Sequence, residues 1–225
     1  MSNSSAVVQL EEAAIVRTIA IGLLLVLLVA LPATAQDFEK GVAAYKRGDY
    51  AAALKEWWPL AASGHAIAQF QVGYLYELGK GVDRDYAVAA KWYRGAAEQG
   101  LSEAQLFLGI LYDKGLGVPQ NYSEAVKWFR KGAGQGQSSA QFMLGVKHQL
   151  GEGVPQDFAE ALKWYRKAAE QGDGQSLGKL GAFYAQGRGV PQDYVFAHMW
   201  LSLATAKGNE KALKIRDLLA KRMTP

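Results

Sequence analysis

The chain contains no cysteine in its 225 residues. That removes disulfide bonds, thiolate catalysis and cysteine-ligated metals. Histidine is scarce as well. His65, His148 and His198 are scattered and lack the spacing of a metal site, so neither a metal nor another cofactor is expected. A large excess of charge of one sign is missing too, with 25 basic residues against 21 acidic ones. Residues 207–225 hold six of the bases and two of the acids, which leaves the rest almost neutral. A nucleic-acid-binding protein would carry a basic stripe along its length, and that class is excluded.

Long apolar runs are also rare. Thr18 to Leu31 is uncharged, and its 14 residues fall short of a membrane span, which takes about 20. Arg17 precedes the run, and Pro32-Ala33-Thr34-Ala35 follows it with the small residues of a signal-peptidase site. Residues 1–35 therefore read as a signal peptide, with Gln36 as the first mature residue. Glu11 and Glu12 depart from the usual positive start, and an uncleaved N-terminal anchor is the alternative.

What the chain has in abundance is repetition. Trp92, Trp128, Trp164 and Trp200 stand 36 residues apart, as do Gly73, Gly109, Gly145 and Gly181. A fixed period of this length marks a repeat solenoid. One unit is clearest at 102–137. Ser102 to Lys114 is dense in apolar residues and predicts a mostly buried helix. Gly115-Leu116-Gly117-Val118-Pro119-Gln120 stops it. Asn121 then caps a second helix, with Glu124 as capping-box partner; Asp157 and Glu160 repeat the box, while Asp85 and Asp193 keep only the cap. The second helix is predicted over 122–135, with Tyr122, Ala125, Trp128 and Phe129 on its inner face.

The spacing thus predicts an all-α domain of stacked helix hairpins over 36–225. It comprises a short hairpin at 37–65, full repeats at 66–101, 102–137, 138–173 and 174–209, and a capping helix at 210–223. A lone hairpin cannot bury both of its apolar faces, so each needs its neighbours. Positions constant among the copies serve folding. The recurring glycines let helices approach, and the tryptophans fill the space between hairpins.

The shared motif reads Ala-x-x-x-Leu-Gly-x-x-Tyr-x-x-Gly-x-Gly-Val-Pro-Gln-Asp-Tyr-x-x-Ala-x-x-Trp-Tyr-x-x-Ala-Ala-x-x-Gly. Residues 104–136 and 140–172 follow it almost throughout. Residues 68–100 depart at Asp83-Arg84, residues 176–208 at Ser176, Leu201 and Thr205, and His148 replaces a tyrosine. The pattern resembles the Sel-1-like repeat, a relative of the tetratricopeptide repeat, and 37–65 resembles a plain tetratricopeptide hairpin. The resemblance implies a right-handed α-superhelix that binds proteins without catalysis, often as an exported bacterial adaptor. It points to the periplasm of a Gram-negative bacterium, with secretion or inner-membrane anchoring as alternatives. Disulfide-rich relatives with reported penicillin binding carry cysteine pairs in every repeat, and this chain has none.

By carry-over, the first helix of each hairpin lines the concave face. The candidate partner-binding residues are then Phe70, Tyr74, Glu77 and Leu78, followed by Leu106, Ile110, Asp113 and Lys114. Phe142, Val146, Gln149 and Leu150 come next, and Gly178, Ala182 and Gln186 close the row. The wall is apolar toward the N-terminus and open toward the C-terminus, as a groove for an extended or helical peptide would be.

Two other classes have smaller footholds. Ser176-Leu177-Gly178-Lys179 matches the Ser-x-x-Lys of penicillin-interacting enzymes, without the companion motifs. Lys91, Lys127 and Lys163, with Arg94, Arg130 and Arg166, form ladders that a glycan-associated scaffold would use. Glu98 and Glu170 are expected to neutralise part of them.

Overall fold

The computed structural model describes residues 33–223, and among them every regular element is a helix. In chain order these are α1 (Ala33–Lys46), α2 (Tyr50–Ala62), α3 (Ala66–Leu78), α4 (Tyr86–Glu98), α5 (Ser102–Lys114) and α6 (Tyr122–Gly134). They continue with α7 (Ser138–Leu150), α8 (Phe158–Glu170), α9 (Gly174–Gln186), α10 (Tyr194–Ala206) and α11 (Glu210–Met223). The signal-peptide expectation lies outside the described residues except at Ala33–Ala35, which open α1. Among the described residues no helix is long and apolar enough to cross a membrane.

The helix ends follow from local chemistry. Asp85, Asn121, Asp157 and Asp193 are extended, and their side chains accept N–H groups from the first turns of α4, α6, α8 and α10. The expected capping boxes do not form. The Asn121 and Asp157 N–H groups donate to the Tyr112 and His148 carbonyls, both at 2.9 Å. Those donors are therefore already satisfied, and Glu124 and Glu160 turn to Lys127 (2.5 Å) and Lys163 (2.9 Å) instead. The second helix of the second full repeat ends at Gly134, one residue before its predicted end, because Gln135 serves as its C-cap.

Two glycines shape each loop. Gly115 closes α5 in the left-handed region, at φ 66°. Gly117, at φ 67°, lies so close to the backbone of Tyr86–Ala87 that a side chain would collide with it. Gly81, Gly153 and Gly189 meet the second helix of their own preceding hairpins in the same way. Each loop is thus a joint seated on the hairpin before it.

Packing runs chiefly between consecutive helices, and α11 also reaches back to α9. The result is a right-handed α-solenoid. Its deepest anchors are Trp57, Tyr93, Phe129, Tyr165 and Leu201, each essentially without exposure. From Tyr93 onward these stand one position after the recurring tryptophans. Their rings and side chains lie where the first-helix glycines leave room. A Cβ on Gly109 would sit 2.6 Å from Phe129, and one on Gly145 would sit 2.7 Å from Tyr165. The tryptophans do seal between hairpins, but only Trp128, at 7% exposure, counts as buried. Trp92, Trp164 and Trp200 are half-buried, as such a large side chain commonly is.

A glutamine ladder also crosses the layers. Gln69, Gln105 and Gln141 donate to the Ala61, Ala97 and Ala133 carbonyls and accept from Gln99, Gln135 and Gln171. Gln105 and Gln141 are buried, where an unpaired amide would cost about 1–3 kcal/mol, and the exposed Gln135 and Gln171 reach in to satisfy them. The ladder stops at the fourth repeat, where Leu177 and Lys207 take its two places.

Candidate partner-binding face

The first helices α3, α5, α7 and α9 present the predicted residues in rows. The deeper row is largely engaged in packing. Phe70 lies 5.5 Å from Tyr93 and 5.5 Å from Phe107, and Tyr74 stands edge-on to Phe107 at 6.0 Å. Phe142 packs on Tyr165 at 5.7 Å, and Leu106 is buried. Ile110 and Val146 are half-buried. The outer row of Leu78, Lys114, Leu150 and Gln186 is exposed, with Leu78 at 42% and Leu150 at 52%. An exposed leucine thus stands at the same place in two of the four copies.

The polar positions between these rows are tied inward. Glu77 accepts a 2.6 Å hydrogen bond from the Tyr93 hydroxyl, and Gln149 accepts one of 2.7 Å from Tyr165. Burial, helped by Glu77, pushes the Tyr93 hydroxyl far up from its usual pKa, and burial raises that of Tyr165. In the second repeat the partner is Phe129, which offers no hydroxyl, and Asp113 pairs with Lys147 of the next hairpin. Lys147 stands where other copies have Leu75, Leu111 and Phe183. It is buried, pairs also with Glu152 at 2.6 Å, and lies 4.7 Å above the Tyr122 ring. Burial pulls its pKa down, but the bonds to Asp113 and Glu152 outweigh that and leave it raised.

Toward the C-terminus the rows open as predicted, in part. Gly178 and Ala182 line a cleft of about 840 Å³ between α9 and α11, with Lys179, Lys207 and Lys211 around it. Asn209 and Ala212 take up some of the room beside Gly178.

The remaining footholds fare differently. Ser176 has no exposure, and its hydroxyl bonds to nothing in the described residues. It fills the place of Ala68, Ala104 and Ala140, while Lys179 donates to Gln149 at 3.2 Å. A nucleophile and its base would need contact with each other and with substrate. On the outer face, Lys127 and Lys163 pair with Glu124 and Glu160, rather than with Glu98 and Glu170. Arg94 and Arg166 donate to the hydroxyls of Tyr112 and Tyr184. Lys131 and Lys167 cover the Trp128 and Trp164 rings at 4.1 and 4.5 Å. On α10 Met199 stands where the other repeats have Lys91, Lys127 and Lys163, Phe196 where two have Glu124 and Glu160, and Leu203 where two have Lys131 and Lys167; all three are exposed, as is Val195 beside them, a change readable by aligning the copies.

His148 breaks the arginine–tyrosine pattern, standing opposite Arg130 with its Nδ1 unpartnered. Burial first, then Arg130, hold it below the ordinary value of 6.5, against Glu160 and Asp157. The unfolded chain takes the proton more readily, so this contribution to stability is lost as pH falls below about 6.5. His148→Tyr is expected to flatten that dependence between pH 7.5 and 5.5. It should also add about 1 kcal/mol through a bond from Arg130. Urea unfolding at the two pH values measures both effects; parallel pH slopes in parent and variant would exclude the first, and equal stability at pH 7.5 the second.

The geometry is that of a tetratricopeptide-like interaction scaffold. The Sel1 repeat matches at residues 66–101, 102–137, 138–173 and 175–209, and the chain belongs to the Sel1 repeat family. Proteins of this family generally mediate protein–protein interaction. Among solved structures, the protective antigen c5321 of uropathogenic Escherichia coli is similar at 36% identity and a TM-score of 0.76. The match covers 80% of this chain and 39% of that one. A Sel1 repeat protein from Oxalobacter formigenes is 38% identical with a TM-score of 0.74, over 80% of this chain and 74% of its own. Comparison with curated proteins finds no match.

Proposed function

We propose that the chain is a non-enzymatic, exported adaptor that binds a protein or peptide along the concave face formed by its first helices. The observation that carries this is the exposed leucine of the outer row, Leu78 and Leu150, above a wall of half-buried apolar side chains. Apolar anchors at regular spacing suit a helical or extended peptide. The uncharged apolar run after Arg17, with its small-residue site, supports export to the periplasm. So does the kinship with an Escherichia coli protein described as a protective antigen. The buried Ser176 and the internally paired outer ladders favour this reading over the hydrolase and the glycan scaffold.

A photo-crosslinking residue at Leu150 should trap a discrete partner in envelope extract, while one at the outer-face Lys163 should not. In a pulldown from the same extract, Leu78→Asp combined with Leu150→Asp should abolish capture of that partner with the melting temperature unchanged, since both side chains are exposed. Equal trapping from both faces, or capture that survives the double substitution, would refute the face assignment.

A further inference from the structure

We infer that the C-terminal end of this face is a carboxylate-accepting cleft that holds an acidic stretch of the bound peptide. The inference rests on the reading that the partner is a protein or peptide laid along the first helices.

The cleft collects departures from the repeat. At two positions bulk is lost: Gly178 stands where earlier copies have Phe70, Leu106 and Phe142, and Ala182 where they have Tyr74, Ile110 and Val146. At two more, charge is gained. Lys179 replaces Gln71, Phe107 and Met143, and Lys207 replaces the ladder amides Gln99, Gln135 and Gln171. With Leu177 in place of the facing glutamine, Lys207 has no amide to meet and extends beside Gly172 and Gly174. Lys211 completes the group from α11. The three earlier copies, each followed by a full hairpin, carry none of these changes; here Gly178 leaves room for Asn209, and the two lysines are added beside it.

The charges are unbalanced where they converge. Among the described residues none of the three lysines pairs with a carboxylate. The cleft has two acids of its own. Asp173 is spent capping α9, accepting the Ser176 N–H at 2.7 Å, and Glu210 is exposed at the start of α11. Burial, then Lys211 and Arg188, hold the Lys179 ammonium below the usual lysine value. An arriving carboxylate would relieve that repulsion and replace the single neutral acceptor, Gln149, that Lys179 now has. The floor of Ala182, Ala212 and Ile215 is apolar, which suits side-chain methylenes below an acidic head.

The test is fluorescence anisotropy of the full chain with fluorescein-labelled hexaglutamate at about 50 mM salt, where exposed charges are only moderately screened. Hexaglutamate should bind at least tenfold more tightly than hexaglutamine. Lys179→Gln and Lys211→Gln should each cut affinity about three- to tenfold, while Lys179→Arg keeps it and all three variants melt like the parent. Equal binding of both peptides, or variants that bind hexaglutamate as the parent does, would overturn the proposal. Trigalacturonate binding as tightly, with the same variant dependence, would overturn the assignment to peptide. Crosslinking from Leu150 separates the two levels: if it persists while the lysine variants change nothing, the face stands and the acidic end falls.

Discussion

Tyr165→Ala should lower the free energy of unfolding by about 3–5 kcal/mol, the usual range for a large buried side chain. Tyr165 is without exposure, packs on Phe142 and Phe183, and seats its ring against Gly145. The same contact gives a second, sharper expectation. In the parent, Gly145→Ala places a methyl 2.7 Å from two ring carbons and 3.2 Å from the Ala161 carbonyl oxygen. Overpacking of this kind costs about 1–3 kcal/mol. In the Tyr165→Ala background the ring is gone, and alanine regains its advantage of about 1 kcal/mol over glycine inside a helix. One substitution should therefore destabilise the parent and leave the variant unharmed or improved. A double-mutant cycle in urea reads the change of sign, and simple additivity would refute the contact.

Lys147→Ala should cost about 3–5 kcal/mol, as removal of one partner from a buried ion pair does. The side chains of Lys147 and Asp113 are 3% and 14% exposed, so Asp113 would lose its counter-charge where water offers little in return. Glu152, at 32%, would find solvent. Lys147→Leu with Asp113→Asn restores the residue found at 75 and 111 and removes the stranded charge. That double variant should come within about 1 kcal/mol of the parent. If it stays as unstable as Lys147→Ala, the cost belongs to the lost lysine stem and not to the pairing.

These two sites show what a sequence makes visible and what it hides. The helix Ser102–Lys114 was legible to the residue, since the Gly115–Gln120 punctuation that ends it is local. The caps at Asp85, Asn121, Asp157 and Asp193 were legible for the same reason. The capping box was not, because the N–H it needed is taken by a carbonyl nine residues upstream across the loop. Lys147 on its own reads as one more solvated lysine; only alignment with Leu75, Leu111 and Phe183 marks it as interior. Gln105 and Gln141 each find their amide partner 30 residues further on, beyond any local window. The residues of the apolar wall lie on α3, α5, α7 and α9, the first helix of each full hairpin. Its split into a packed row at Phe70 and Phe142 and a free row at Leu78 and Leu150 depends on how neighbouring hairpins nest.

The glycine joint at Gly81, Gly117, Gly153 and Gly189 has a consequence for how such a chain changes over generations. Because each joint sets a glycine against backbone in the same way, a cassette gained or lost by unequal exchange within the gene would meet the same kind of seat on both sides. Length is then a heritable dial separate from sequence, one that moves in whole steps of a hairpin.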